Sequence, residues 1–159
     1  MKIAIDPGPL KSGWLVYEST DRGLVTPLRF GELPNDSLMV TLFTDKRLFQ
    51  DVAIEWIQSY GMAVGAEVFN TARWVGIFQQ AVGLAKTTLI TRGECKLHLC
   101  RSSRAKDANV RQAILDLYGG KDVAQGKKKT PGPLYGVSGH VWSALAVALT
   151  RQAQLNKGK

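Results

Sequence analysis

Two short apolar runs, one at the start of the chain and one near residue 50, each close on an acid. Lys2-Ile3-Ala4-Ile5-Asp6 and Val52-Ala53-Ile54-Glu55 both read as buried strands, with the carboxylate where the strand should stop. Pro7-Gly8 follows the first as turn chemistry. Residues 12–18, through Gly13-Trp14-Leu15-Val16-Tyr17, predict a second strand. Asp21-Arg22-Gly23 is a turn, and residues 24–32 predict a third strand whose Pro27 suits a sheet edge. Three strands so closely connected make an antiparallel meander.

After the meander the period changes. Pro34-Asn35-Asp36 opens a helix with Leu38, Met39, Leu42 and Phe43 on one face. That helix is a crossover able to bring residues 52–55 parallel to the first strand. Residues 58–65 read as a longer loop. A helix over 66–82 places Val68, Ala72, Val75 and Val82 on one stripe, and Thr87 to Thr91 predicts a further short strand. Helices follow near 107–118, with Val110, Ile114 and Leu117, and from about 138 to 151, with Val141, Leu145, Ala148 and Leu149. Residues 119–136 hold two prolines and Lys127-Lys128-Lys129, and read as a mobile loop. A meander followed by alternating α and β predicts an α/β fold in one domain, residues 1–153, with a flexible tail at 154–159.

Composition narrows the class. Hydrophobic residues are 45% and charged residues 21% of 159, which suits a globular core rather than disorder. No apolar run approaches the ~18 residues of a membrane span, and no basic-then-apolar leader opens the chain, so a cytoplasmic protein with no membrane partner is expected. The formal charge of +8 is unevenly placed. Residues 1–91 carry 8 Lys/Arg against 9 Asp/Glu, residues 92–129 carry 10 against 4, and residues 130–159 carry 3 against none. A positive excess confined to the second half favours nucleic acid over general solubility charge.

Asp6 and Glu55 become neighbours if the fourth strand pairs with the first. Two carboxylates so placed repel, and Mg²⁺ is a fitting counter-ion: hard, oxygen-ligated, and able to keep waters for a substrate phosphate. Read separately, Asp6 starts a turn and Glu55 caps a strand. Cys95, His98 and Cys100 lie close in sequence, but a structural zinc needs four ligands and the chain has no second Cys/His cluster. Two reduced thiols is the better reading.

Several motifs in order resemble a known family. They are Ile3-Ala4-Ile5-Asp6-Pro7-Gly8 with Ser12-Gly13-Trp14, then Ala53-Ile54-Glu55, then His140-Val141-Trp142-Ser143-Ala144-Leu145-Ala146-Val147-Ala148. The set is similar to the RuvC-type Holliday-junction resolvases, and most of all to the short phage and prophage forms. Tyr60-Gly61-Met62 and the segment from Arg104 to Arg111 also resemble those forms. The resemblance implies an RNase H-like fold: a mixed five-stranded sheet, antiparallel meander plus two parallel strands, flanked by helices. It further implies a homodimer in a bacterial cytoplasm or nucleoid that nicks four-way or other branched DNA with Mg²⁺ or Mn²⁺, two ions per site.

On the matching positions, Asp6 stands for the family's first-strand aspartate and Glu55 for its central-strand glutamate. The last helix usually offers an acid or histidine and then an aspartate three residues on. Here His140 fits the first position, and Ser143, a poor Mg²⁺ ligand, stands at the second. The expected metal ligands are therefore Asp6, Glu55 and His140, with Asp107, and after it Glu67, as further candidate acids. Asp107 also reads plainly as a helix-start acid. Lys96, Arg101, Arg104, Lys106 and Arg111, with Lys127, Lys128 and Lys129, are expected on DNA phosphates. Tyr60, Met62 and Phe69 could stack or wedge at unpaired bases. Trp74 and Trp142 read as core or dimer interface, and Phe69, Trp74 and Phe78 exceed what one buried stripe needs, which suggests a self-complementary patch. A non-catalytic junction binder of the same fold is the first alternative. The actin-like phosphotransferases also open on a strand, an Asp and a Gly turn, but need a second phosphate loop and a much longer chain.

Overall fold

The structure is a computed structural model that describes residues 1–20, 23–58, 61 and 63–158. Alternation along the strands sets the architecture. In β1 (Lys2–Asp6), Ile3 and Ile5 point to one face of the sheet while Ala4 points to the other. In β4 (Asp51–Trp56), Val52 and Ile54 join the first face and Ala53 the second. With a side-chain period of two, Asp6 and Glu55 fall on the same face as the two alanines.

Five strands form one mixed sheet in the order β3-β2-β1-β4-β5. β2 (Lys11–Ser19) pairs antiparallel with β1 and with β3 (Val25–Pro34). β4 pairs parallel with β1 and with β5 (Thr87–Thr91). Pro27 lies in β3, an edge strand, beside a register shift at Val16/Tyr17, where its missing N–H breaks no ladder.

Helices cover both faces. α1 (Asn35–Thr44) and α2 (Ala66–Val82) bury Leu38, Leu42, Val75, Phe78 and Val82 against Ile3, Ile5, Val52 and Ile54. α3 (Arg92–Cys100), α4 (Asp107–Leu117) and α6 (Val141–Lys157) cover the other face. Ala4 and Ala53 are small, so α6 packs close, and it is buried almost all round from Val141 to Thr150. Arg151 grips Asp51 at the start of β4 with a two-pronged ion pair. Among the described residues no helix is long and apolar enough to cross a membrane.

Several expectations need correction. The stripe of α2 runs through Thr71, Val75, Phe78 and Val82, so Val68 and Ala72 sit at its margin. Phe78 is wholly buried and cannot join a surface patch; Phe69 is 65% exposed and Trp74 half-buried. Phe43 and Leu117 face solvent. Residues 119–136 form an ordered element rather than a mobile loop: α5 (Lys121–Ala124) and the two-stranded ribbon of β6 (Gly126–Lys127) and β7 (Thr130–Pro131). Ala124 and Leu134 anchor it in the core. α6 starts at Val141 and continues through Lys157, so most of the expected tail is helical.

Candidate active site

Asp6 ends β1 opposite Gly13 of β2, and is 6% exposed. The turn after it is pinned from inside. The Ser12 hydroxyl accepts from the Gly8 N–H and donates to Asn35 Oδ1 at 2.6 Å, and Asn35 Nδ2 donates to the Gly8 carbonyl at 2.9 Å. Both side chains are buried, so this polar network fixes where β1 stops. Glu55 is the next residue after Ile54, which pairs with Ile5, and so lies beside Asp6 on the adjacent strand.

The start of α6 closes over the pair. His140 Nδ1 stands 2.9 Å from Asp6 Oδ2. An ionised carboxylate only accepts, so in this contact Nδ1 donates its N–H to Asp6. Glu32 of β3 accepts from the His140 backbone N–H at 3.0 Å and holds Lys11 at 2.5 Å. These two hydrogen bonds keep its carboxyl below the ordinary value. Gly13 is the third support: a Cβ there would lie 2.6 Å from His140 Cβ. Ser143, in the first turn of α6, favours the ionised form of Asp6.

On the other side of Glu55 is an arginine that sequence reasoning missed. Arg92 Nη1 donates to Glu55 Oε1 at 3.2 Å, while Nη2 and Nε donate to the two oxygens of Asp107 at 2.6 and 3.3 Å. Lys96 Nζ lies 3.9 Å from Asp107. Arg92 is the first residue of α3, whose start is fixed by a capping box: Thr91 accepts from the Glu94 N–H and Glu94 accepts from the Thr91 N–H. The Thr91-x-x-Glu94 spacing was the signal that could have located this helix.

Burial dominates the electrostatics. It raises the Asp6 carboxyl above its usual range, against the pull of His140, Arg92 and Ser143. It pushes Glu55 up to about 7, with the charge of Asp6 adding to the effect and Arg92 opposing it. Burial works against the Arg92 cation too, but its pairing with Asp107 and Glu55 outweighs this and holds its pKa above the ordinary arginine value. The two acids therefore lack full compensation within the protein, as expected of carboxylates arranged for a further cation.

Among the described residues no three His, Cys, Asp or Glu side chains gather into an all-protein metal cage. Mg²⁺ does not require one, since one or two carboxylates, waters and substrate phosphate suffice. Asp6 and Glu55 fit that donor set. Asp107 gives both oxygens to Arg92, and Glu67 is an exposed acid in the first turn of α2. Cys95 is buried in the core while His98 is exposed, so the Cys/His segment does not converge, and both thiols are free.

A cavity of about 50 Å³ opens beside Glu55 and is bounded by Arg92, Lys96, Asp107, Arg111, Trp142 and Ser143. Arg111 lies over the Trp142 ring, 4.8 Å from its centroid, so this indole is a support for a cation as well as core. Of the basic residues expected on DNA, Lys96 and Arg111 border this cavity. Arg101, the left-handed C-cap of α3, lines a separate cleft with His98 and Lys157. Arg104, Lys106, Lys127, Lys128 and Lys129 are exposed and line neither. Tyr60 and Met62 lie outside the described residues.

No protein-family model matches the chain, and no curated protein matches it in sequence. Solved structures do match. The structure of Thermus thermophilus RuvC superposes with a TM-score of 0.74 at 18% identity, covering 98% of this chain and 95% of that one. The fold is that of the RuvC resolvases. T. thermophilus RuvC in complex with a Holliday junction substrate also matches, with a TM-score of 0.69 at 18% identity over 99% of this chain and 97% of that one. The RuvC-type fold thus covers nearly all of the chain and bears out the five-stranded mixed sheet expected from the sequence.

Proposed function

We propose that this protein is a metal-dependent, structure-selective DNA endonuclease that resolves four-way or other branched junctions. The observation that carries the reading is the side-by-side placement of Asp6 and Glu55 at the ends of adjacent parallel strands, in a RuvC fold, with His140 held on Asp6. A solved relative of that fold is named for its complex with a Holliday junction. The excess of Lys and Arg after residue 91 supports a polyanionic substrate.

In this reading Asp6 and Glu55 hold one or two Mg²⁺ or Mn²⁺ ions, with waters and substrate phosphate as the other ligands and His140 orienting Asp6 through Nδ1. Such a metal would supply Lewis acidity at the scissile phosphate and lower the pKa of a bound water, making it a nucleophile once deprotonated. Glu32, Gly13 and the Ser12–Asn35 network keep the ligands in place, which is the positioning that phosphodiester chemistry needs. Lys96 and Arg111 meet phosphates beside the cut. A junction resolved into two intact duplexes needs two symmetry-related cuts, so one site per chain calls for a two-fold homodimer. Phe69 and Trp74 on α2 offer apolar surface for it.

A non-catalytic junction binder is the second reading. It is favoured by Ser143 in place of a third acid and by the Arg92 cation already seated on Glu55. A labelled synthetic four-way junction with Mg²⁺ or Mn²⁺, beside matched linear duplex, separates the two. The nuclease cuts the junction and spares the duplex; the binder retards the junction and cuts neither.

A further inference from the structure

The bridge from Asp107 through Arg92 to Glu55 joins two acids that the metal-site reading treats separately. Asp107 is 69% exposed and Glu55 only 14%, so Arg92 spans from the surface into the site. Its stronger hydrogen bond, 2.6 Å, is to Asp107, and its longer one, 3.2 Å, is to Glu55. A guanidinium cannot shed its charge, so it must be displaced rather than deprotonated when another cation takes Glu55. Asp107 provides the place to remain: Arg92 can give up Glu55 while keeping two hydrogen bonds to Asp107.

Resting on the nuclease reading, we infer that Arg92 is the resident counter-ion of Glu55 and competes directly with the divalent cation for that carboxylate. In metal-free protein Glu55 is thereby partly compensated, and free divalent ions bind weakly until Arg92 lets go. Once released from Glu55, Arg92 still borders the cavity beside Lys96 and Arg111, and its free N–H groups face an incoming DNA phosphate. Metal loading is then linked to substrate arrival, because a phosphate offers the arginine a partner in exchange for Glu55.

The test is Mn²⁺ binding to the DNA-free protein, followed by calorimetry or by loss of the free-ion resonance signal. Arg92→Gln is expected to bind Mn²⁺ about tenfold more tightly than wild type. Arg92→Lys, which restores the charge and guards against a folding defect in the glutamine variant, is expected to return affinity toward wild type. Lys96→Gln removes a cation from the same cavity without a contact to Glu55, and its affinity is expected to change by less than about twofold. Glu55→Gln must lose the binding, which locates it at the site. If Glu55-dependent binding exists and Arg92→Gln leaves it unchanged or weaker, or if Lys96→Gln tightens it equally, the competition is refuted while the nuclease reading stands. If no variant binds Mn²⁺ in a Glu55-dependent way, the metal site itself is wrong and both inferences fall.

Discussion

His140 Nδ1 and Asp6 Oδ2 meet at 2.9 Å although 134 positions separate the residues in the chain. The contact ties the start of α6 to the end of β1 and orients the imidazole from behind. His140→Ala is expected to lower junction nicking by roughly 10²-fold or more, the scale typical of a lost acid–base or ligand group. Gly13→Ala leaves every ligand in the sequence but pushes a Cβ to 2.6 Å from that of His140. It is expected to cost about 1–3 kcal/mol of stability through overpacking and to slow nicking with junction affinity unchanged. Single-turnover rates and gel-shift affinities on the same preparations check both, and nicking at the wild-type rate by His140→Ala would remove it from the site.

The raised carboxyl of Glu55 gives stability a definite pH dependence. Burial lifts the folded Glu55 carboxyl to about 7 even with Arg92 beside it, whereas the unfolded chain releases its proton near 4.5. Between those values the unfolded state binds fewer protons, so metal-free protein should lose stability as pH rises from about 4.5 to 7. Asp6, raised in the same direction, adds to the trend. Glu55→Gln should flatten the profile, and Mn²⁺ should restore wild-type stability at pH 7 and above. Denaturant midpoints across that window, with and without metal, measure it; a profile that rises in the absence of metal contradicts the assignment.

Much of this arrangement was legible in the sequence because it rests on local alternation. Ile3-Ala4-Ile5-Asp6 and Ala53-Ile54-Glu55 announce both their strands and the shared face of their acids, and Thr87–Thr91 matches β5. What was not legible depends on contacts between distant segments. Arg92 reaches Glu55 across 37 positions and Glu32 reaches His140 across 108. Nothing in the neighbourhood of either residue signals that partner. The 119–136 segment has the composition of a loop, and it is the burial of Ala124 and Leu134 in the core, with the backbone hydrogen bonds of the ribbon and its flanks, that orders it. The stripe of α2 was misplaced because Thr71 and Phe78 face inward while apolar Val68 and Ala72 stay at the margin.

Lys127, Lys128 and Lys129 project from the ribbon of β6 and β7 and are exposed. If all three meet DNA phosphates, replacing them by Gln should lower the slope of log affinity against log salt by about 2–3, given ~0.9 per phosphate contact. Preference for junction over duplex should persist, since phosphate contacts position DNA without reading it. Fluorescence-anisotropy titrations at several salt concentrations give the slope, and an unchanged value would place the ribbon away from DNA.

If Asp6 and Glu55 form the catalytic metal site of a paired junction cutter, both cuts depend on both acids. A four-way junction labelled on each strand in turn, incubated with wild type, Asp6→Asn and Glu55→Gln in Mg²⁺ or Mn²⁺, decides it. Symmetric nicks on two opposing strands are expected from wild type, none from either variant, and undiminished junction retention from all three proteins. Cleavage by either variant, or wild-type protein that binds the junction and leaves every strand intact in both metals, would contradict it.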